Sequence, residues 1–99
     1  MSFITTQPRL MAGAAGDLHA IGSALSARNA AAAGSTTGVV PAGADEVSAL
    51  TATQFAAYAR MYQAVSGQAA AVHDLFVGAL AAGADSYADT DASNAIATR

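Results

Sequence analysis

Residues 53–80 read TQFAAYARMYQAVSGQAAAVHDLFVGAL, and the spacing of their large apolar side chains fixes the local structure. Phe55, Tyr58, Tyr62, Val65, Ala69, Val72, Phe76 and Leu80 follow one another at intervals of three and four. At about 100° per residue, such positions share one arc of an α-helix. Val47, Leu50, Ala57, Met61, Ala64 and Leu75 widen the arc on one side to roughly half the cylinder. Arg60, Gln63, Ser66, Asp74 and Asp85 are expected on the opposite side. With no proline inside the pattern, helix two is expected over about 45–83, a rod of about 38 residues and ~57 Å.

Upstream, GVVPAGADEVSAL at 38–50 reads as a connection. Pro41 pushes Val40 out of helical space, Gly43 loosens the chain, and Asp45 offers a carboxylate to cap the next helix. Glu46 then sits in the first turn with the sign that suits the helix dipole. Before the connection, Met11, Ala14, Leu18, Ile21, Leu25 and Ala32 again mark one helical face. Helix one is expected over about 8–34, with Thr5 or Thr6 as its cap and Pro8 in its first turn. Gly34, Ser35 and Gly38 open a turn over about 35–44, and residues 84–99 form a C-terminal tail. Arg9 is a misfit, because a cation at the positive end of a helix costs about 0.3–1 kcal/mol if exposed.

The fold expected is therefore all-α: an elongated antiparallel two-helix hairpin within a single domain, 1–99. One partner helix covers a stripe of about 100°, so the shorter helix one cannot shield a half-cylinder on a longer neighbour. The economical solution is a four-helix bundle completed by another chain. Partner-binding positions are expected at Leu18, Ile21, Leu25, Phe55, Tyr58, Met61, Tyr62, Val65, Val72, Phe76 and Leu80, with the Phe55 and Phe76 rings buried at the interface. Tyr58 and Tyr62 would keep their phenols at its edge. Periodicity alone does not separate a foreign partner from a second copy, so a self-associating homodimer stays open.

Composition narrows the function further. The chain has 99 residues, a net charge of −3, four arginines and no lysine. Nucleic-acid binding is not expected, because following phosphates needs clustered cations. The absence of cysteine excludes disulfides and thiolate metal sites. MSFITTQPR has no basic residue before Arg9, so no cleavable signal peptide is read. The run between Arg60 and His73 falls short of the about 20 apolar residues of a spanning helix. A membrane-active amphipathic hairpin is the rival reading, though its polar face should be rich in cations.

Catalysis has little to build on. His19 and His73 stand near Asp17 and Asp74 without the i, i+4 spacing of a one-helix metal site, and no hydroxyl has an orienting base nearby in sequence. The reading is of a non-enzymatic chain without cofactor or metal. A small metal-dependent enzyme using His19 and His73 is the alternative that bound metal would revive.

In SYADTD, 86–91, Tyr87 and Asp91 are i and i+4 if helix two extends over the tail, and then project from one face. An aromatic ring with a carboxylate at fixed distance suits a short signal read by another protein.

Over nearly its whole length the sequence resembles the mycobacterial PE family. The resemblance is carried by MSFITTQP, by ARNAAAAGSTTGVVPAGADEVSAL at 27–50, by residues 53–80 and by the terminal tyrosine motif. The chain ends where the PE domain ends, like the short members without a glycine-rich extension. The resemblance implies a heterodimer with a PPE protein as a four-helix bundle, and export by an ESX-type, type VII secretion system. It also implies a Tyr-x-x-x-Asp/Glu export signal, matched here by Tyr87 and Asp91, and a cytosolic EspG-type chaperone that binds the PPE subunit. The destination implied is the medium or the cell surface, reached without a cleavable signal. One departure stands out: the family's Pro-Glu is Pro8-Arg9 here.

Overall fold

The structure, a computed structural model, describes residues 4–99; Phe3 and the start of MSFITTQP lie outside the described residues. Among the described residues the regular structure is two α-helices, α1 over Pro8–Thr37 and α2 over Glu46–Ala97, joined by residues 38–45. Contacts group the chain into two units, Met1–Gly22 with Val72–Arg99, and Ser23–Ala71.

Both helices outrun the sequence expectation. For α1, the Thr36 hydroxyl donates to the Ala32 carbonyl at 2.7 Å and the Thr37 hydroxyl to the Ala33 carbonyl at 2.6 Å. These bonds occupy carbonyls of the last turn, carrying α1 past Gly34 to Thr37. The larger correction concerns α2, expected to end near Gly83 but continuing to Ala97. One glycine costs only about 1 kcal/mol, and the residues beyond it are rich in alanine with no proline. Residues 84–97 are therefore helix rather than tail.

The helix starts differ. At α2, Asp45 Oδ2 accepts from the Ser48 amide at 3.1 Å and Oδ1 from the Ser48 hydroxyl at 2.6 Å. The Ser48 side-chain bond, followed by its backbone bond, holds the Asp45 carboxyl below its ordinary value, as expected of a cap that prefers to be charged. At α1, neither threonine caps the helix as anticipated. The Gln7 carbonyl takes the amides of Leu10 and Met11, both at 3.1 Å, and the Thr6 side chain turns elsewhere.

In the unit containing both termini, the helices run antiparallel, with Thr6 paired to Asp91 and Leu18 to His73. Met11, Ala15, Leu18 and Gly22 of α1 face His73, Val77, Leu80 and Ala84 of α2; these residues are half-buried or buried. His73 Nε2 lies 2.7 Å from the Leu18 carbonyl; a carbonyl only accepts, so Nε2 carries the proton and donates. Gly22 makes this possible, because a Cβ there would lie 2.7 Å from His73 Cδ2 and Nε2.

In the 23–71 unit, Asn29 and Ala33 of α1 face Ala52, Ala56, Ala59, Gln63 and Ser66 of α2, again half-buried or buried. Gln63 Nε2 donates to the Asn29 carbonyl at 3.0 Å, and the Tyr62 hydroxyl to Asn29 Oδ1 at 2.8 Å. Gln63 and Ser66 thus belong to the helix–helix seam rather than to a solvated face. Polarity by itself does not make them exposed: in this seam small size and a satisfied hydrogen bond matter more.

The buried core of the described residues consists of Ala15, Ala52, Ala56 and Ala84. An alanine methyl contributes on the order of 0.8 kcal/mol when buried, against about 1.5–3 kcal/mol for a Leu or Phe side chain. The accessible surface is 7336 Å², about half of the ~14,000 Å² of an extended chain of this mass. A compact domain of similar size buries roughly 60–70%.

Candidate functional site

The α2 seam repeats at intervals of four and three: Ala52, Ala56, Ala59, Gln63, Ser66 and Ala70 in one unit, His73, Val77, Leu80 and Ala84 in the other. Most of the large side chains precede these positions by one residue. Phe55, Tyr58, Tyr62 and Val65 stand one residue before Ala56, Ala59, Gln63 and Ser66; Val72 and Phe76 stand one before His73 and Val77. A one-residue step turns a helical side chain by about 100°, which carries these groups off the seam. Phe55 remains 63% exposed and Phe76 55% exposed.

Met61, Tyr58, Tyr62, Val65 and Val72 on α2, and Ile21 and Leu25 on α1, are likewise more than half exposed. Leu18 and Leu80 differ, being half-buried in the seam. The expected interface positions therefore fall into two sets: nine on open surface and two turned inward. Among the described residues nothing buries the Phe55 and Phe76 rings. Singly exposed apolar residues are ordinary; neighbouring ones within one unit, as at Phe55, Tyr58 and Tyr62, form the kind of apolar patch that is less so.

In the 23–71 unit this surface is grooved. A depression of about 410 Å³ has Ala32, Thr36 and Val39 on one side and Phe55, Tyr58, Ala59 and Tyr62 on the other. Its lining is apolar, with the Tyr62 hydroxyl held at the rim by Asn29. Such a concavity suits an inserted side chain better than a reaction, since no nucleophile–base pair lines it.

The second feature is the C-terminal motif. Tyr87 and Asp91 lie on α2 proper, one turn apart. The Tyr87 ring is 48% exposed, whereas Asp91 is half-buried and engaged. Asp91 Oδ2 accepts from the Thr6 hydroxyl at 2.6 Å and from the Thr6 amide at 3.3 Å. The first turn of α1 has no acidic residue of its own and carries Arg9. Asp91 thus brings a negative charge to a helix start that lacks one, with the sign the dipole favours. Sequence reasoning had no signal for this pairing, because 85 positions separate the two residues.

The histidines do not meet in a metal site. Nε2 of His73 is taken by the Leu18 carbonyl, and no group of three or more His, Cys, Asp or Glu suited to a metal occurs among the described residues. By length and composition alone α2 is apolar enough to cross a membrane, which the shorter helix expected from sequence was not.

The sequence pattern of the PE family matches residues 4–94. PE family protein PE13 of Mycobacterium tuberculosis is 59% identical over 97 residues, covering 98% of this chain and 98% of its own. PE-PGRS family protein PE_PGRS34 of the same species is 54% identical over 98% of this chain, and PE family protein PE8 is 48% identical over the same share. The aligned region is 19% of the former and 35% of the latter, so this chain spans only a minor part of those two relatives. None of the three is named for an enzymatic activity.

Proposed function

The chain belongs to the PE family, and from that premise we propose that it is a non-enzymatic, secreted subunit that forms an obligate heterodimer with a PPE protein. Residues 1–99 act as one PE-type domain, and α1 and α2 supply two helices of a four-helix bundle. The pair leaves the cytosol through an ESX-type, type VII secretion system that reads Tyr87 and Asp91, and it reaches the medium or the cell surface. An EspG-type chaperone serves it indirectly, through the PPE subunit.

The observation that supports docking is the placement of bulk: small side chains fill the seam, while the aromatic rings stay in solvent. The magnitude fits. A compact monomer of this mass exposes ~5,100 Å², and this chain exposes 7336 Å². The excess, about 2,200 Å² on one chain, exceeds the ~800 Å² per partner of a standard interface and is of the order that a large obligate one removes from each chain. Nine exposed positions, Ile21, Leu25, Phe55, Tyr58, Met61, Tyr62, Val65, Val72 and Phe76, make the contact; Leu18 and Leu80 support it from the seam.

A membrane-active hairpin is the second reading, favoured by the length and apolar composition of α2. Against it stands the cation content of four arginines and no lysine, where an interfacial helix carries a basic polar face. Producing the chain alone and together with candidate PPE proteins separates the readings. Heterodimer assembly gives a soluble 1:1 complex by measured mass. A homodimer of unchanged mass in the presence of the PPE protein, or binding to anionic vesicles in preference to it, would overturn the proposal.

A further inference from the structure

The Thr6–Asp91 pairing changes what an export signal at Tyr87 and Asp91 consists of. Both hydrogen bonds go to the same carboxylate oxygen, at 2.6 Å from the hydroxyl and 3.3 Å from the amide. Asp91 is half-buried and the ring one turn before it is 48% exposed. A receptor approaching this face meets the ring first, and finds the carboxylate already accepting two bonds. What the carboxylate holds is the chain that enters α1: Thr6 immediately precedes Gln7, whose carbonyl takes the first bonds of that helix.

We infer that Asp91 is a positioning residue in export: through Thr6 it fastens segment 4–7 one turn of α2 from Tyr87, and the export machinery reads a composite of that segment and the tyrosine ring. The inference rests on the export reading of Tyr87 and Asp91 given above, and replaces a free Tyr–Asp pair with a surface drawn from both ends of the chain. The partner it fits presents an apolar pocket for the ring and contacts for an extended segment, rather than a cation aimed at position 91. A carboxylate serves the tie well because hydrogen bonds to a charged acceptor are the stronger kind, and because α1 has no acid of its own at its start. An amide oxygen at position 91 would still accept from Thr6.

The test uses the full chain produced with its PPE partner in a mycobacterial host, with exported and cell-retained protein quantified and co-purification checked for each variant. Tyr87→Ala and Asp91→Ala abolish export with assembly intact. Asp91→Asn exports within about twofold of the unaltered chain, since its oxygen still accepts from Thr6. Thr6→Val falls between the unaltered chain and Asp91→Ala, and Thr6→Ser, which keeps the hydroxyl, restores export. In the purified pair, solvent exchange of the Thr6 amide accelerates about tenfold in Asp91→Ala and much less in Asp91→Asn. Loss of export in Asp91→Asn, or normal export in Thr6→Val, overturns the inference and leaves the carboxylate itself as the group that is read. Normal export of Tyr87→Ala and Asp91→Ala together overturns the export reading beneath it.

Discussion

Ala56 and Phe55 are neighbours in sequence with opposite fates: the alanine is 7% exposed and the phenylalanine 63%. The same contrast separates Val77 from Phe76 in the other unit, half-buried against exposed. In the 23–71 unit the chain spends small residues on its own helix–helix contact and leaves its large ones outside; in the other unit Met11, Leu18, Val77 and Leu80 join the seam, while Val72 and Phe76 stay outside. Alanine and glycine let helix backbones approach closely but bury little area, whereas a ring buries much more. The lesson is a division of labour along one helix, in which the seam sets pairing within the chain and the adjacent stripe stays in solvent, where the proposal places the partner.

The most forceful way to break this comparison is to truncate a ring. Phe55→Ala or Phe76→Ala leaves the helicity and thermal profile of the chain alone nearly unchanged, because these rings touch little within it. In the PPE complex the same change weakens binding by about 3–5 kcal/mol, the range for an aromatic lost from a buried site. Circular dichroism of the chain and calorimetric titration of the pair supply the two readings; an equal loss in both would place the rings inside the chain's own core.

The reverse experiment enlarges the seam. Ala56→Leu or Ala84→Leu forces the helices apart and costs about 1–3 kcal/mol by overpacking, visible as lost helicity in the chain alone and a lower melting temperature in the complex. Ala57→Leu, one residue off the seam and exposed, does neither in the chain alone.

Gly22 gives a smaller, coupled effect. Alanine gains up to about 1 kcal/mol of helix propensity over glycine, yet here its Cβ displaces the His73 ring and costs the bond to Leu18, about 1 kcal/mol. Gly22→Ala is therefore close to neutral in the intact complex and stabilising once His73 is alanine. The double-mutant cycle in thermal denaturation measures that coupling. Gly67→Ala, with nothing within 4 Å of its Cβ, gains in either background.

The faintest effect is acidic. Asp45 has a lowered carboxyl pKa in the folded chain, from its bonds to Ser48. Its contribution is present at neutral pH and is lost as pH falls from the ordinary carboxyl value of 3.8 through the lowered folded value. Asp45→Asn, which still caps, removes that acid-side dependence in the helicity of the first turns of α2.

Much of the fold was legible in the residues. The three-and-four spacing of the large side chains fixed two helices, Pro41 and Gly43 placed the connection, and Asp45 marked the start of α2. The seam was not legible by the same route. Ala52, Ala59, Ser66 and Ala70 carry almost no hydrophobic signal, Gln63 reads as solvated until its bond to Asn29 is seen, and the pattern does not say what His73 meets before its bond to Leu18 is seen. A search for small residues repeating every three or four positions, instead of large ones, would have found it. α2 continues past the expected end near 83 because a glycine there is a modest penalty and the residues that follow hold several alanines and no proline. The Thr6–Asp91 bond leaves no local trace, since each residue looks ordinary in its own neighbourhood.

All of this turns on whether two helices zipped by alanines suffice without help. Differential scanning calorimetry of the dilute chain, with its mass followed by analytical ultracentrifugation, asks this most directly. The chain alone should show a broad, weakly cooperative transition, and the pair a sharp one at heterodimer mass once the PPE protein is added. A sharp, concentration-independent two-state transition at monomer mass would contradict that expectation.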